Sequence, residues 1–183
     1  QINTRFVAEN KFSYIGINAK NVSVGGDGGS NESIALRKAI ASVISAQRIN
    51  MKEELSDKVK IINYPFTSDS WLSPAVEDKN YNRAYSDSAD GGEIYNDDMS
   101  DEERNMATVE AAQKYLEKAG YKFDENGVIE SVPEKASKTY RIMIENGRKN
   151  MLYPMVKKSS ELLEKLGIEL KIVSVSKKQM MSK

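Results

Sequence analysis

Proton and group transfer need acids, bases and nucleophiles, and this chain of 183 residues supplies them unevenly: Asp and Glu total 27, while His and Cys are absent. That removes thiol nucleophiles, thiolate clusters, imidazole bases and the commonest zinc ligands together. Carboxylates are the only plentiful acid–base groups, so the enzyme to weigh as a rival reading is one with a pair of carboxylates facing each other in a pocket. Asp97, Asp98, Asp101, Glu102 and Glu103 crowd together as oxygen ligands for calcium would. The calcium-loop order with a central glycine and a terminal glutamate is missing, and the composition reads as a solvated acidic loop. Methionines 143, 151, 155, 180 and 181 include several at helical spacing, which reads as core filling and not as a metal or haem box. The expectation is therefore no enzyme, no metal and no cofactor.

Binding chemistry has more to work with. Phe12 to Asn18 carries a strand signal, with Ile15 and Ile17 on one face and Tyr14, Gly16 and Asn18 on the other. That second face serves equally as a ligand surface, or as a small second core in which Tyr14 packs while Asn18 caps the strand's end. Trp71, the single tryptophan, stands between Pro65 and Pro74 and offers a broad amphipathic surface at a cleft edge or an anchor for the core. Gly25-Gly26-Asp27-Gly28-Gly29 resembles a phosphate cradle, yet no Lys-Ser/Thr follows it, so it reads as a flexible strand-to-helix connection.

The elements that hold these residues follow from periodicity. Leu36, Ala39, Ile40, Val43, Ile44 and Gln47 recur at helical spacing behind Ser30 or Ser33 as cap, and Arg37 on that helix reads as a structural hydrogen-bond donor. Val59 to Ile62 suggests a short strand, followed by an irregular segment that holds Phe66 and Trp71 and belongs at a surface or cleft. Asp78 to Asn105 is acidic and poor in aliphatic residues, the composition of a long solvated insertion. Thr108 is positioned to cap a helix with Val109, Ala112, Tyr115, Leu116 and Ala119 on one face and Gly120 at its end. Asn126-Gly127 marks a tight turn, and Tyr140 to Ile144 a strand. Met151 to Leu166 is a helix with Pro154 in its first turn and Gly167 after it, and Ile168 to Val175 a last strand. Helices between strands predict a single α/β domain with a mixed sheet.

Several of these pieces, in this order, resemble the oligopeptide, dipeptide and nickel solute-binding proteins of ABC importers. They are the strand ending Ile17-Asn18, Arg37-Lys38-Ala39, the helix ending Ala119-Gly120-Tyr121, and Leu163-Glu164-Lys165-Leu166-Gly167-Ile168-Glu169-Leu170-Lys171-Ile172. Ser45-Ala46 stands where that family has Asp-Arg, and Thr108 where it has a capping acid, which marks a divergent member. The resemblance implies a lobe of a type II periplasmic-binding-protein-like fold, with residues 1–183 forming part of the C-terminal lobe and 78–105 a polar insertion. It implies hinge closure around a peptide or other small solute, delivery to a membrane permease, and a missing N-terminal lobe of the same protein as partner. In peptide-binding relatives the face matching Tyr14, Gly16 and Asn18 looks into the cleft, which makes these residues and Trp71 the expected ligand contacts. The alternative is a structural or protein-interaction domain without a small-molecule ligand.

Lys and Arg also total 27, so the formal charge is zero and no broad attraction to nucleic acid or anionic membrane is implied. The opening Gln1-Ile2-Asn3-Thr4-Arg5 has no signal-peptide character and no initiator methionine, which leads us to expect a fragment of a longer precursor. Placement outside the cytoplasmic membrane, periplasmic or lipid-anchored in a Gram-positive source, is implied by the resemblance alone.

Overall fold

Ser30 sets the first helix in place: its hydroxyl accepts from the Ser33 backbone N–H at 3.1 Å and opens α1, Asn31–Ala46. Leu36, Ala39 and Val43 lie on the stripe read from the sequence and are fully buried; sealing one such leucine from water contributes about 2 kcal/mol. These statements belong to a computed structural model that describes residues 12–48, 51, 60–67, 70–74, 85–96 and 98–181.

The remaining elements follow in chain order. They are α2 (Asp101–Lys118), β1 (Lys122–Phe123), β2 (Ile129–Ser131), β3 (Thr139–Glu145), a 3-10 turn (Gly147–Lys149), α3 (Tyr153–Glu164), β4 (Glu169–Val175) and a short terminal helix α4 (Lys177–Met181). β1 and β2 pair antiparallel across the Asp124–Gly127 turn, and β3 and β4 pair parallel through the α3 crossover. The expected mixed sheet is thus two separate two-stranded sheets, one of each kind. They are tied where the Ile129 N–H donates to the Leu166 carbonyl at 2.9 Å. Gly167, at φ +84°, passes so close to this joint that a Cβ there would lie 3.1 Å from a Val128 methyl.

One continuous core runs through α1, α2, α3 and both sheets. Leu116 and Ala119 on α2 and Leu163, Leu166 and Ile168 around α3 are sealed within it. Tyr140, Ile142 and Ile144 share the helix-facing side of β3 as their spacing demands, while Arg141 and Met143 are exposed on the other. Gly120 closes α2 at φ +89°, facing Pro133.

Four further expectations are corrected. Residues 12–18 belong to no strand, yet their exposure alternates as expected: Tyr14, Gly16 and Asn18 are exposed while Ile15 and Ile17 are half-buried, with Ile15 packed on the core. Of the strand expected at 59–62, residues 60–62 are irregular and Val59 lies outside the described residues. Thr108 does not cap α2. Ser100 does, two turns earlier, in a reciprocal box: the Glu103 N–H reaches the Ser100 hydroxyl at 3.3 Å while the Ser100 N–H donates to the Glu103 carboxylate at 2.8 Å.

The acidic stretch, finally, is no free loop where it is described; residues 78–84 and Asp97 lie outside the described residues. Asp101, Glu102 and Glu103 form the first turn of α2, where carboxylates favour the positive end of the helix dipole. Residues 86–94 form a small antiparallel loop, and it folds against α1 and α2 with Ile94 buried.

Candidate functional site

The expected ligand contacts are open to water. Tyr14 is 79% exposed and Trp71 is 90% exposed, so neither serves as the core anchor that the sequence left open. The buried tyrosines behave differently. The Tyr121 hydroxyl donates to the Ser137 carbonyl at 2.8 Å and stands 2.8 Å from the Tyr140 hydroxyl. Burial is the main force raising both phenols above the usual tyrosine value, so both are neutral near neutrality.

Tyr14 stacks obliquely on Phe12, with ring centroids 6.2 Å apart at 52°. Gly16 follows beneath it, and a Cβ there would lie 3.9 Å from the Tyr14 ring. Asn18 is committed to a turn: its side-chain oxygen accepts from the N–H groups of Lys20 at 3.0 Å and Asn21 at 3.2 Å. No strand ends at Asn18 for it to cap; its side chain closes the following turn instead. Trp71 sits in the turn closed by the Ser73 N–H on the Ser70 carbonyl, and the Ser70 N–H donates in turn to the Thr67 carbonyl, both at 2.9 Å. Among the described residues no ring contact joins Trp71 to Tyr14. Tyr14, Gly16 and Asn18 thus form one exposed segment and Trp71 a separate exposed tip.

The glycine loop is shaped by contacts from α1. Ser33 Oγ accepts from the Val24 N–H at 2.8 Å and donates to the Asp27 carbonyl at 2.5 Å. Arg37 reaches over the same loop, donating to the carbonyls of Val22 at 3.1 Å and Gly28 at 2.8 Å. The structural role expected of Arg37 is what the geometry gives it.

A charged cluster that sequence reasoning did not single out lies on the other side of α1. Asp87 Oδ2 takes the Lys38 ammonium at 3.1 Å, and the Tyr115 hydroxyl stands 3.1 Å from the same oxygen and 3.0 Å from the backbone carbonyls of Asp87 and Ser88. Lys38 also lies 5.5 Å from the Tyr115 ring centroid. Partial burial alone would raise the Asp87 carboxyl, but the hydrogen bonds from Lys38 and Tyr115 outweigh it and hold the carboxyl below its usual range. The Asp87 hydrogen bond, working against burial, raises Lys38, and burial with Asp87 raises Tyr115. The Asp87 carboxylate and the Lys38 ammonium are each favoured in their charged forms near neutrality, and the cluster fastens the loop to α1 and α2. Spacing could not have revealed it, because Lys38, Asp87 and Tyr115 are far apart in the chain. Lys118 extends the fastening, donating to the Ala89 carbonyl and lying 3.6 Å from Asp90.

An open depression of about 340 Å³ beside this loop is lined by Ala89, Asp90, Lys114, Glu117 and Lys118. Its aromatic-free wall includes none of Tyr14, Gly16, Asn18 or Trp71. Among the described residues no group of three or more carboxylates is placed to hold a metal ion, and no helix is long and apolar enough to cross a membrane. Comparison with protein-family models, curated proteins and solved structures gives no match to this chain.

Proposed function

We propose that this chain is part of one lobe of an extracytoplasmic solute-binding protein that serves an ABC importer, capturing peptides and handing them to a membrane permease without chemistry. The observation that carries this reading is the exposure of Trp71 and Tyr14, at 90% and 79%, in a chain whose Tyr115, Tyr121 and Tyr140 are all buried. Large amphipathic rings held in water gain contact area when a surface covers them, and a peptide backbone or apolar side chain is a suitable cover. The β3–α3–β4 crossover and its helical layer are consistent with an α/β lobe.

The test is thermal unfolding of the two-lobed protein that contains this chain, run against a peptide library with the chain alone as control. A peptide present at about a hundred times its Kd should stabilise the two-lobed protein by about 2.7 kcal/mol. The chain alone should shift little, and Trp71→Ala should abolish the shift while leaving the unliganded melting temperature unchanged. A library without any effect on the two-lobed protein would turn the reading to its alternative, a protein-interaction domain. One observation favours that alternative: among the described residues, Trp71 and Tyr14 stand on open surface.

A further inference from the structure

The β3–β4 sheet is unfinished in a way its hydrogen bonds make explicit. The Glu169 N–H donates to the Lys138 carbonyl at 2.7 Å and the Asn146 N–H to the Val175 carbonyl at 3.1 Å, with β3 and β4 in continuous parallel register between. Parallel strands alternate the direction of their backbone groups, so the even-numbered residues of β3 point toward β4 and Arg141, Met143 and Glu145 point outward. The ends of this outer edge are partly occupied: Ser137 Oγ accepts from the Thr139 N–H at 2.9 Å, and the Asn150 carboxamide donates to the Glu145 carbonyl at 3.0 Å. Between them, among the described residues, the N–H and C=O of Arg141 and Met143 have no hydrogen-bond partner. Parallel sheets are normally covered on both faces and flanked by further strands, yet Met143 and Val173 remain 38% and 37% exposed on the open side.

The side chains of this edge specify what would complete it. Arg141 stands directly across from Lys171, whose ammonium already reaches Glu169 at 3.3 Å. Like charges opposite each other on a sheet repel, so the Arg141 guanidinium lacks an anion there. Four positions along, on the same face of the same strand, Glu145 has no ion-pair partner among the described residues. Turning a second β3 antiparallel about Met143 places Arg141 against Glu145 of the other copy, twice by symmetry, and Met143 against Met143. The outward backbone groups fall in hydrogen-bonded register in that arrangement, and Ile142 and Ile144 stay on the helix side.

We propose that the occupant of this edge is a second copy of the same chain, its β3 paired antiparallel about Met143 to give a four-stranded sheet. The proposal rests on the β3 edge and is independent of the solute-binding reading. Sedimentation equilibrium over a wide concentration range should show a reversible dimer. Arg141→Glu and Glu145→Arg each set like charges across the seam, and each should weaken self-association about tenfold or more. Mixed in equal amounts, the two variants carry complementary charges in the same register and should dimerise with each other. Unchanged circular dichroism and melting temperature of each variant separates loss of pairing from loss of fold. A wild-type chain that stays monomeric throughout, single variants that dimerise like wild type, or a mixture that fails to recover association would each overturn the proposal.

Discussion

A carboxylate, an ammonium and a phenol separated widely in sequence meet at Asp87, and their titration makes the contact visible. The Asp87 carboxyl is held below its ordinary value of 3.8, so its contribution is present above that pH and is lost as pH falls through the lower folded value. Lys38 is raised above its ordinary 10.5, so its contribution is complete below that pH and is lost as pH rises through the higher folded value. The fastening of the 86–94 loop therefore holds across the neutral range and loosens only at the extremes. The two side chains are 39% and 49% exposed, so the pair is screened by solvent and its worth is modest. Asp87→Asn should lower stability by about 1 kcal/mol or less at neutral pH, and the difference from wild type should vanish in strong acid. Urea titrations at several pH values measure both; a difference that persists below the folded Asp87 range would remove the carboxylate from the account.

The start of α2 shows where reading by element succeeded and where it failed. The apolar stripe Ala112, Tyr115, Leu116 and Ala119 and the left-handed Gly120 were legible because each depends on neighbours within a turn or so. The helix begins two turns before Thr108: the acidic run through Asp101, Glu102 and Glu103 reads by composition as solvated loop, although Ser100-Asp101-Glu102-Glu103 is itself a capping-box pattern. Thr108 instead donates to the Arg104 carbonyl at 2.6 Å and meets the Tyr95 hydroxyl at 2.9 Å, which binds the chain just beyond the 86–94 loop to the helix middle. Ser100→Ala should therefore cost about 1 kcal/mol of stability, read from denaturant midpoints. A neutral result would leave the first two turns held by packing alone. The strand expected at 12–18 failed for a related reason. Alternation of Ile15 and Ile17 is a local signal, whereas a strand needs a partner's backbone, which no local pattern supplies. The exposure of Trp71 was half legible: two flanking prolines placed it on irregular chain near a surface or cleft, but tryptophan's average burial argued the other way.

Across the whole molecule, α1, α2, α3 and both small sheets share one core, which makes cooperative unfolding the expected behaviour. The aromatic probes divide sharply within that single transition. Tyr115, Tyr121 and Tyr140 are buried, so near-ultraviolet circular dichroism should collapse together with the helical signal. Trp71 is the sole tryptophan and 90% exposed, so its emission should already resemble that of indole in water and change little on unfolding. A strongly blue-shifted native emission would instead mean that another surface covers Trp71 in solution.

Arg37 gives the glycine loop a property that its composition conceals. A run such as Gly25-Gly26-Asp27-Gly28-Gly29 would wander through many conformations if held only at its ends, since glycine has the widest backbone freedom. One guanidinium, rooted in α1, grips the carbonyls of Val22 and Gly28 together, so the intervening chain is closed into a short ring before any partner arrives. The rigid fork of arginine spans both carbonyls at once, which the single ammonium of lysine is not shaped to do. The loop thus borrows its shape from a helix surface, and the sequence is free to keep its glycines for turning and close approach without surrendering a defined outline.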